Sequence, residues 1–424
     1  MTLAPVRREP IEERLRLAGL PSLPRTAWLE VDLEALVANL AAIRAAIPAG
    51  TRVVPVVKAD AYGHGAIPVA RALEVAGADA FAVAVLDEAT ELRRAGIEVP
   101  IVVLYPVPPG LVIEAAQASV EVTLGDTEAS RRILDAVEGA ATGPTLDVHV
   151  EVETGLGRGG VTVDELPGLL ARISGEPGVR LVGLWSHVTA GEDGPRTTAQ
   201  SELFERAASH LEGSGAPDAA ILRHMAASAG ILAGSAPAFD AVRPGLSIYG
   251  LAPEELGAGG ARAGLRPAMA LYARPVRVAN LPTGHGVGYG PAFTTSRPTR
   301  VATLPVGYGD GYARTMSHRV EALVRGRRVP IIGTIAMDAV MADVTDVPGD
   351  PVTLDDEFVL LGGQGAESID VYELARSRTT ISWEVVTSMS SRLPRVYHAA
   401  AGLLVTRMLS GERYARGTDR ALER

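Results

Sequence analysis

Between residues 52 and 243 the chain carries eight short apolar or β-branched runs, near 52–57, 79–84, 100–104, 119–124, 145–151, 180–185, 221–225 and 240–243, separated mostly by helix-compatible segments. A strand that recurs after each helix-length spacer predicts parallel pairing, because a crossover helix returns the chain to the same end of the sheet. The first run, Val53-Val54-Pro55-Val56-Val57, is continuous rather than alternating, as expected of a strand buried on both faces. Eight repeats predict a (β/α)8 barrel, with phosphate-bearing ligands at the C-terminal ends of its strands. A helix leads in: Asp32 stands at an N-cap position, and Leu33, Leu36, Leu40, Ile43 and Ile47 follow at steps of three and four.

The grammar changes near residue 268. Strand-like stretches at 270–280, 299–306, 319–324, 329–332, 340–344 and 357–361 are broken by Gly/Pro turns, with helix-compatible segments at 370–377 and 380–392. The reading is an α/β chain in three parts: a polar extension over 1–26, a barrel over 27–267, and a mostly β domain over 268–424 whose last dozen residues are polar and expected to fray.

Composition removes several functions. The chain has 40 basic against 50 acidic residues, and its arginines are scattered, so it lacks the basic footprint that a nucleic-acid backbone demands. With no cysteine there is no disulfide, thiolate nucleophile or Cys-ligated zinc, and a cytoplasmic setting is expected. The first 26 residues hold charges (Arg7, Arg8, Glu9, Glu12, Glu13) but no apolar core of a signal peptide, and no apolar run reaches membrane-spanning length. No metal site is expected.

The first predicted strand ends in Val57-Lys58-Ala59-Asp60-Ala61-Tyr62-Gly63-His64-Gly65, which sets a lysine at the barrel mouth. An isolated strand-end lysine is usually a surface residue; a partly desolvated one loses its proton and adds to a carbonyl carbon. Further candidates follow in order: Val152-Glu153-Thr154-Gly155-Leu156-Gly157-Arg158, Trp185-Ser186-His187-Val188, His224-Met225-Ala226-Ala227-Ser228 and Val242-Arg243-Pro244-Gly245-Leu246-Ser247-Ile248-Tyr249-Gly250. The β domain adds Gly286-Val287-Gly288-Tyr289-Gly290, Leu304-Pro305-Val306-Gly307-Tyr308-Gly309-Asp310-Gly311, Ile335-Ala336-Met337-Asp338 and Ser390-Ser391-Arg392-Leu393-Pro394-Arg395. Singly, each is weak.

Together, from about residue 26 to 398, these motifs closely resemble those of the alanine racemase family, which uses pyridoxal 5′-phosphate (PLP). The resemblance implies racemisation of a small amino acid in a homodimer whose sites are shared across the interface. It assigns Lys58 as cofactor lysine and one base, and Tyr289, from the other subunit, as the opposing base. It gives Arg158 the cofactor's phenolic oxygen and the substrate carboxylate, His187 the face of the pyridine ring, and Arg243, braced by His224, the ring nitrogen. Tyr62, Ser228, Gly245 and Leu246 fall among the phosphate and cofactor contacts, with Tyr308 at the substrate entrance counted beside them; the Met337 amide and Ser391 adjoin the substrate. A guanidinium at the ring nitrogen does not readily give up its proton, which leaves the ring a weaker electron sink and favours racemisation over transamination.

Five positions depart from the family pattern. Ala227 replaces an asparagine, Ala336 and Ala339 replace a cysteine and a glutamine, Ser391 replaces a cavity tyrosine, and Glu151 stands where many members carry a carbamylated lysine. Both bases are retained, so the departures bear on substrate scope: alanine, with serine or another small amino acid beside it. Two other readings fit less well. A PLP decarboxylase of similar plan calls for a carboxylate at the ring nitrogen and a cysteine, whereas this chain has Arg243 and no cysteine; a non-catalytic PLP-binding protein leaves the β domain with Tyr289 unexplained.

Overall fold

The computed structural model describes residues 8–139, 143–212, 221–257, 264–290 and 292–416. They fall into two compact units, one spanning residues 35–267 and the other combining the chain up to Glu34 with the chain from Ala268 onward.

The first unit holds an eight-stranded, all-parallel sheet. In chain order its strands are Arg52–Val53, Phe81–Val83, Ile101–Val103, Glu121–Leu124, Leu146–Glu151, Val179–Trp185, Leu222–Ala227 and Ala241–Arg243. From the second to the eighth each pairs with the next, the eighth pairs with the first, and a parallel bridge between Val56 and Ala82 joins the first run to the second strand and closes the ring. All eight runs read from the sequence are strands of this (β/α)8 barrel.

Strand alternation decides what each side chain can do. In the fifth strand Leu146, Val148 and Val150 lie buried on one face, while His149 and Glu151 share the other. The flanking helices follow ordinary rules. Asp126 caps Thr127–Glu138 by accepting from the N–H groups of Glu128 and Ala129, both at 2.9 Å, a cap that stabilises by about 1 kcal/mol; Ile133, Leu134 and Val137 form its buried stripe.

The second unit is one twelve-stranded sheet. Strand Ala27–Asp32 lies within it, antiparallel to Met269–Ala273 and parallel to Arg395–Ala399. This places 27–34 with the β unit, where the sequence reading put it in the barrel; the pairing joins residues far apart in the chain and leaves no local signature. The extension also differs from its polar reading. Ile11–Ala18 is a helix closed by Gly19 at φ 68°, a left-handed cap that suits glycine, and Ile11, Leu15 and Leu20 pack with Trp28, Val396, Leu403 and Ala415. The stretch read as one strand over 270–280 is two, Met269–Ala273 and Arg277–Leu281, divided at Pro275, which has no N–H for the ladder. The helix expected over 380–392 is confined to Ser382–Thr387. Beyond it the antiparallel strands Arg395–Ala399, Gly402–Met408 and Gly411–Tyr414 were not anticipated; of the tail expected to fray, 417–424 lies outside the described residues. Among the described residues no helix is long and apolar enough to cross a membrane.

Candidate active site

The barrel unit gathers its candidates at the C-terminal ends of the strands. Lys58 is followed by four consecutive non-glycine residues in the left-handed region: Ala59, Asp60, Ala61 and Tyr62, at φ 52°, 55°, 52° and 53°. Such a turn costs on the order of 1–2 kcal/mol per residue, so its surroundings must hold it. The Glu88 carboxylate accepts from the Ala59 N–H at 2.6 Å, Asp60 accepts from the Ala66 N–H at 2.8 Å, and Gly63 closes the turn. The Lys58 amine, half-buried, has no hydrogen-bond or ion-pair partner among the described residues. Burial pulls its pKa down, as do Arg158 and Arg243, against an opposing pull from Glu88. A strained turn is thus spent on presenting an amine that sheds its proton readily.

Beside it lies a cup of donors. The N–H groups of Gly245 and Ser247 and the Ser247 hydroxyl all point at the Ser228 hydroxyl oxygen, at 3.0, 3.2 and 3.0 Å. A Cβ on Gly245 would stand 2.6 Å from the Tyr62 hydroxyl, so only glycine lets that phenol approach. Burial pushes Tyr62 up to about 12, which keeps it protonated and a donor. Two backbone N–H groups, two hydroxyls and a phenol, with no carboxylate among them, form a donor set that fits a phosphate group.

Arg243, 2% exposed, is held from three sides. Nη1 donates to His224 Nδ1 and, at 3.0 Å, to the His224 carbonyl; Nη2 donates to the Ser186 carbonyl at 2.7 Å; and the guanidinium lies 4.8 Å above the Trp185 ring. His187 Nδ1 is 3.5 Å from Nη2. Burial, with the cations Arg243, Arg158 and Lys58, drives His187 down to about 3, so its ring is neutral. Arg158 stands 3.8 Å from Glu151, an ion pair too long for a hydrogen bond. Burial raises the Glu151 pKa, and Arg158 and Arg243 oppose the rise. A Cβ on Gly159 would meet Glu151 Oε2 at 3.2 Å, and one on Gly160 would stand 2.6 Å from the Glu153 nitrogen; the glycines let the turn fold over this carboxylate.

Tyr289, Tyr308, Met337 and Ser391 belong to the β unit and are all exposed, Tyr289 at 73%. Within that unit Tyr308, Met337 and Ser391 converge: the Tyr308 N–H donates to the Ala336 carbonyl at 3.0 Å, the Gly309 N–H to the Met337 carbonyl at 2.9 Å, and the Ser390 N–H to the Asp310 carbonyl at 3.0 Å. Arg392, next to Ser391, pairs with Asp338 at 2.5 Å and with Asp310 at 3.6 Å. Tyr289 sits on a separate turn, pinned where the Thr334 hydroxyl donates to its carbonyl at 3.1 Å.

The sequence reading passed over several residues. Ser247 completes the donor cup, and Glu88 holds the Lys58 turn. Thr154 and Ser186 hydrogen-bond at 2.7 Å, and Gln200 donates to Thr154 and to the His187 carbonyl, both at 3.3 Å. His149 was legible by alternation alone, two residues before Glu151 on the same strand face, and Glu121 opens the adjacent strand.

Known proteins match this chain in sequence and fold. Residues 31–253 match the alanine racemase N-terminal domain and 268–397 the alanine racemase C-terminal domain. The alanine racemase of Symbiobacterium thermophilum is 41% identical over 375 residues, which cover 88% of this chain and 97% of the relative. The crystal structure of the Bacillus anthracis alanine racemase with bound L-Ala-P superposes with a TM-score of 0.84 at 33% identity, covering 91% of this chain and 98% of that one. The Bartonella henselae alanine racemase with covalently bound pyridoxal phosphate gives 0.77 at 28% identity, covering 88% and 100%. With both domain models matched in order along the chain and a relative 41% identical over 88% of it, the chain belongs to the alanine racemase family of isomerases.

Proposed function

We propose that this protein interconverts L- and D-alanine with PLP held at Lys58, acting in the cytoplasm as a homodimer in which Tyr289 of one subunit serves the barrel of the other. The observation that carries the proposal is the convergence, within one barrel mouth, of the Lys58 amine, the Ser228–Gly245–Ser247 donor cup and the Arg243 guanidinium. PLP, when bound, supplies the electron-withdrawing ring that makes the substrate Cα–H acidic.

The chain's own residues do the rest. Lys58 Nζ, its pKa lowered by burial and by the neighbouring Arg158 and Arg243, takes or returns a proton at one face of Cα, and Tyr289 Oη does so at the other. Removal on one face and delivery on the opposite face inverts the centre. Arg158 and the Met337 N–H bind the substrate carboxylate. Arg243 has donors only and keeps its proton, while neutral His187 fixes the ring plane. Glu151 steers Arg158 through their ion pair, as a carboxyl that needs no carbon dioxide to form.

Borohydride reduction of the PLP-loaded protein followed by peptide mapping is expected to place the label on Lys58, and chiral chromatography over a panel of single-enantiomer amino acids to show alanine racemised. A label on another lysine, or no racemisation of alanine, defeats the proposal.

A further inference from the structure

The barrel interior contains a line of polar side chains that the racemase reading leaves unused beyond its first link. His224 Nε2 lies 3.1 Å from His149 Nδ1, and His149 Nε2 lies 2.8 Å from Glu121 Oε2. With the Arg243–His224 contact this makes four residues in series, on the eighth, seventh, fifth and fourth strands. Glu121 opens its strand and Arg243 ends its own, so the line runs along the barrel from the end opposite the candidate site to the site itself. Such interiors are ordinarily packed with branched apolar side chains, yet His149 and His224 are 2% and 1% exposed. The backbone accommodates them: strand register shifts at His149 and after His224, and a Cβ on Gly183 would fall 1.9 Å from His149 Nδ1.

The two ends dictate every proton between them. A guanidinium only donates and a carboxylate only accepts. His224 Nδ1 must therefore accept from Arg243, which leaves its proton on Nε2; that proton is donated to His149 Nδ1, and His149 Nε2–H is donated to Glu121. We propose that Glu121 and His149 are positioning residues: Glu121 ends a one-directional hydrogen-bond chain that locks His149 and His224 as Nε2–H tautomers and so keeps His224 Nδ1 a free acceptor that aims the Arg243 guanidinium. The surroundings agree. Burial opposes ionisation of Glu121, but the His149 hydrogen bond, with the cations Arg93 and Arg180, outweighs it and holds the pKa below the usual range. Burial and the Arg243 cation keep His224 well below its ordinary value, hence neutral. Without an acceptor at position 121, His149 is free to put its proton on Nδ1; it then faces the His224 Nε2–H, and the clash is relieved only by moving the His224 proton to Nδ1, against Arg243.

The consequence for catalysis rests on the reading of Arg243 as the residue at the cofactor ring; the tautomer does not. The test is nitrogen NMR of the PLP-loaded protein with 15N-labelled histidine, assigned by single replacements. Both His149 and His224 are expected as Nε2–H, with Nδ1 bare. Glu121→Ala should introduce the Nδ1–H form of His224 and lower kcat about tenfold, in the range for removing an outer partner of a site residue, with KM within about twofold. Glu121→Gln, whose amide oxygen still accepts from His149, should restore both. A wild-type His224 protonated on Nδ1 or on both nitrogens overturns the proposal, and this measurement needs no variant to fold. So does a Glu121→Ala protein with unchanged tautomers and kcat, or a Glu121→Gln protein as impaired as Glu121→Ala. If the tautomers are as stated while alanine is not racemised, the racemase reading fails and the hydrogen-bond chain stands.

Discussion

The barrel unit keeps its candidate chemistry inside, whereas the β unit displays its own on the surface. Arg243, His224 and Ser228 are 2%, 1% and 5% exposed, and Tyr289, Tyr308 and Met337 are 73%, 41% and 51% exposed. Buried groups acquire function from their fold: desolvation and fixed partners shift their pKa values and set their protons. An exposed tyrosine on a Gly-rich turn has no such partners within its own unit. That contrast accords with the proposed site completed by a second subunit.

The sharpest way to break the contrast is to separate the two bases. Tyr289→Phe should leave PLP binding intact and suppress solvent-deuterium exchange at Cα from L-alanine on the order of 100-fold or more, the usual size for a lost general base, and more than from D-alanine. Mixing subunits carrying Lys58→Ala with subunits carrying Tyr289→Phe, each inactive alone, should restore about a quarter of the wild-type activity, since each mixed dimer has one intact site. No restoration in a demonstrated mixed dimer removes the shared site.

A second test sets buried against exposed through pH. His187 binds a proton near 6.5 in the unfolded chain but only at about 3 in the fold, so below pH 6.5 the unfolded state takes up protons first. Stability present above 6.5 is then lost as the pH falls toward 3, by at most about 1.4 kcal/mol per pH unit for each such histidine. His224 acts in the same direction. In the β unit, burial of His398 also lowers its pKa, but Glu30 and Asp32 counter it. Hydrogen exchange between pH 7 and 5 should therefore show barrel strands losing protection faster than the β sheet; equal loss would mean that the buried histidines do not govern acid sensitivity.

Smaller effects test the departures from the family pattern. A serine at position 391 should leave more room beside the substrate than a tyrosine, so Ser391→Tyr is expected to raise the alanine-to-serine ratio of kcat/KM by about tenfold, within the 1–3 kcal/mol that small steric differences supply. An unchanged or lower ratio removes Ser391 from control of scope. The smallest expected effect is none: with Glu151 anionic in its own right, stripping bicarbonate from the assay should leave activity unaltered, and strong bicarbonate dependence would count against its role.

The amino-acid sequence alone specified the eight barrel strands, because strands buried on both faces show as continuous apolar runs, and it pointed to Lys58, Arg158, His187, Ser228 and Arg243 as candidates through the resemblance of their contiguous motifs to those of a known family. It also located the change to β structure near 268. It could not place Ala27–Asp32 in the β sheet or reveal the packing of Ile11 and Leu15 against Leu403 and Ala415. Nor did it join Glu121, His149 and His224, which lie on three strands up to 103 residues apart along the chain and meet only when the barrel closes. The reason is physical. Periodicity and motifs are properties of neighbouring residues, whereas strand partners, the proton positions of a buried histidine and the strained turn after Lys58 are set by groups that only tertiary folding brings within hydrogen-bonding distance.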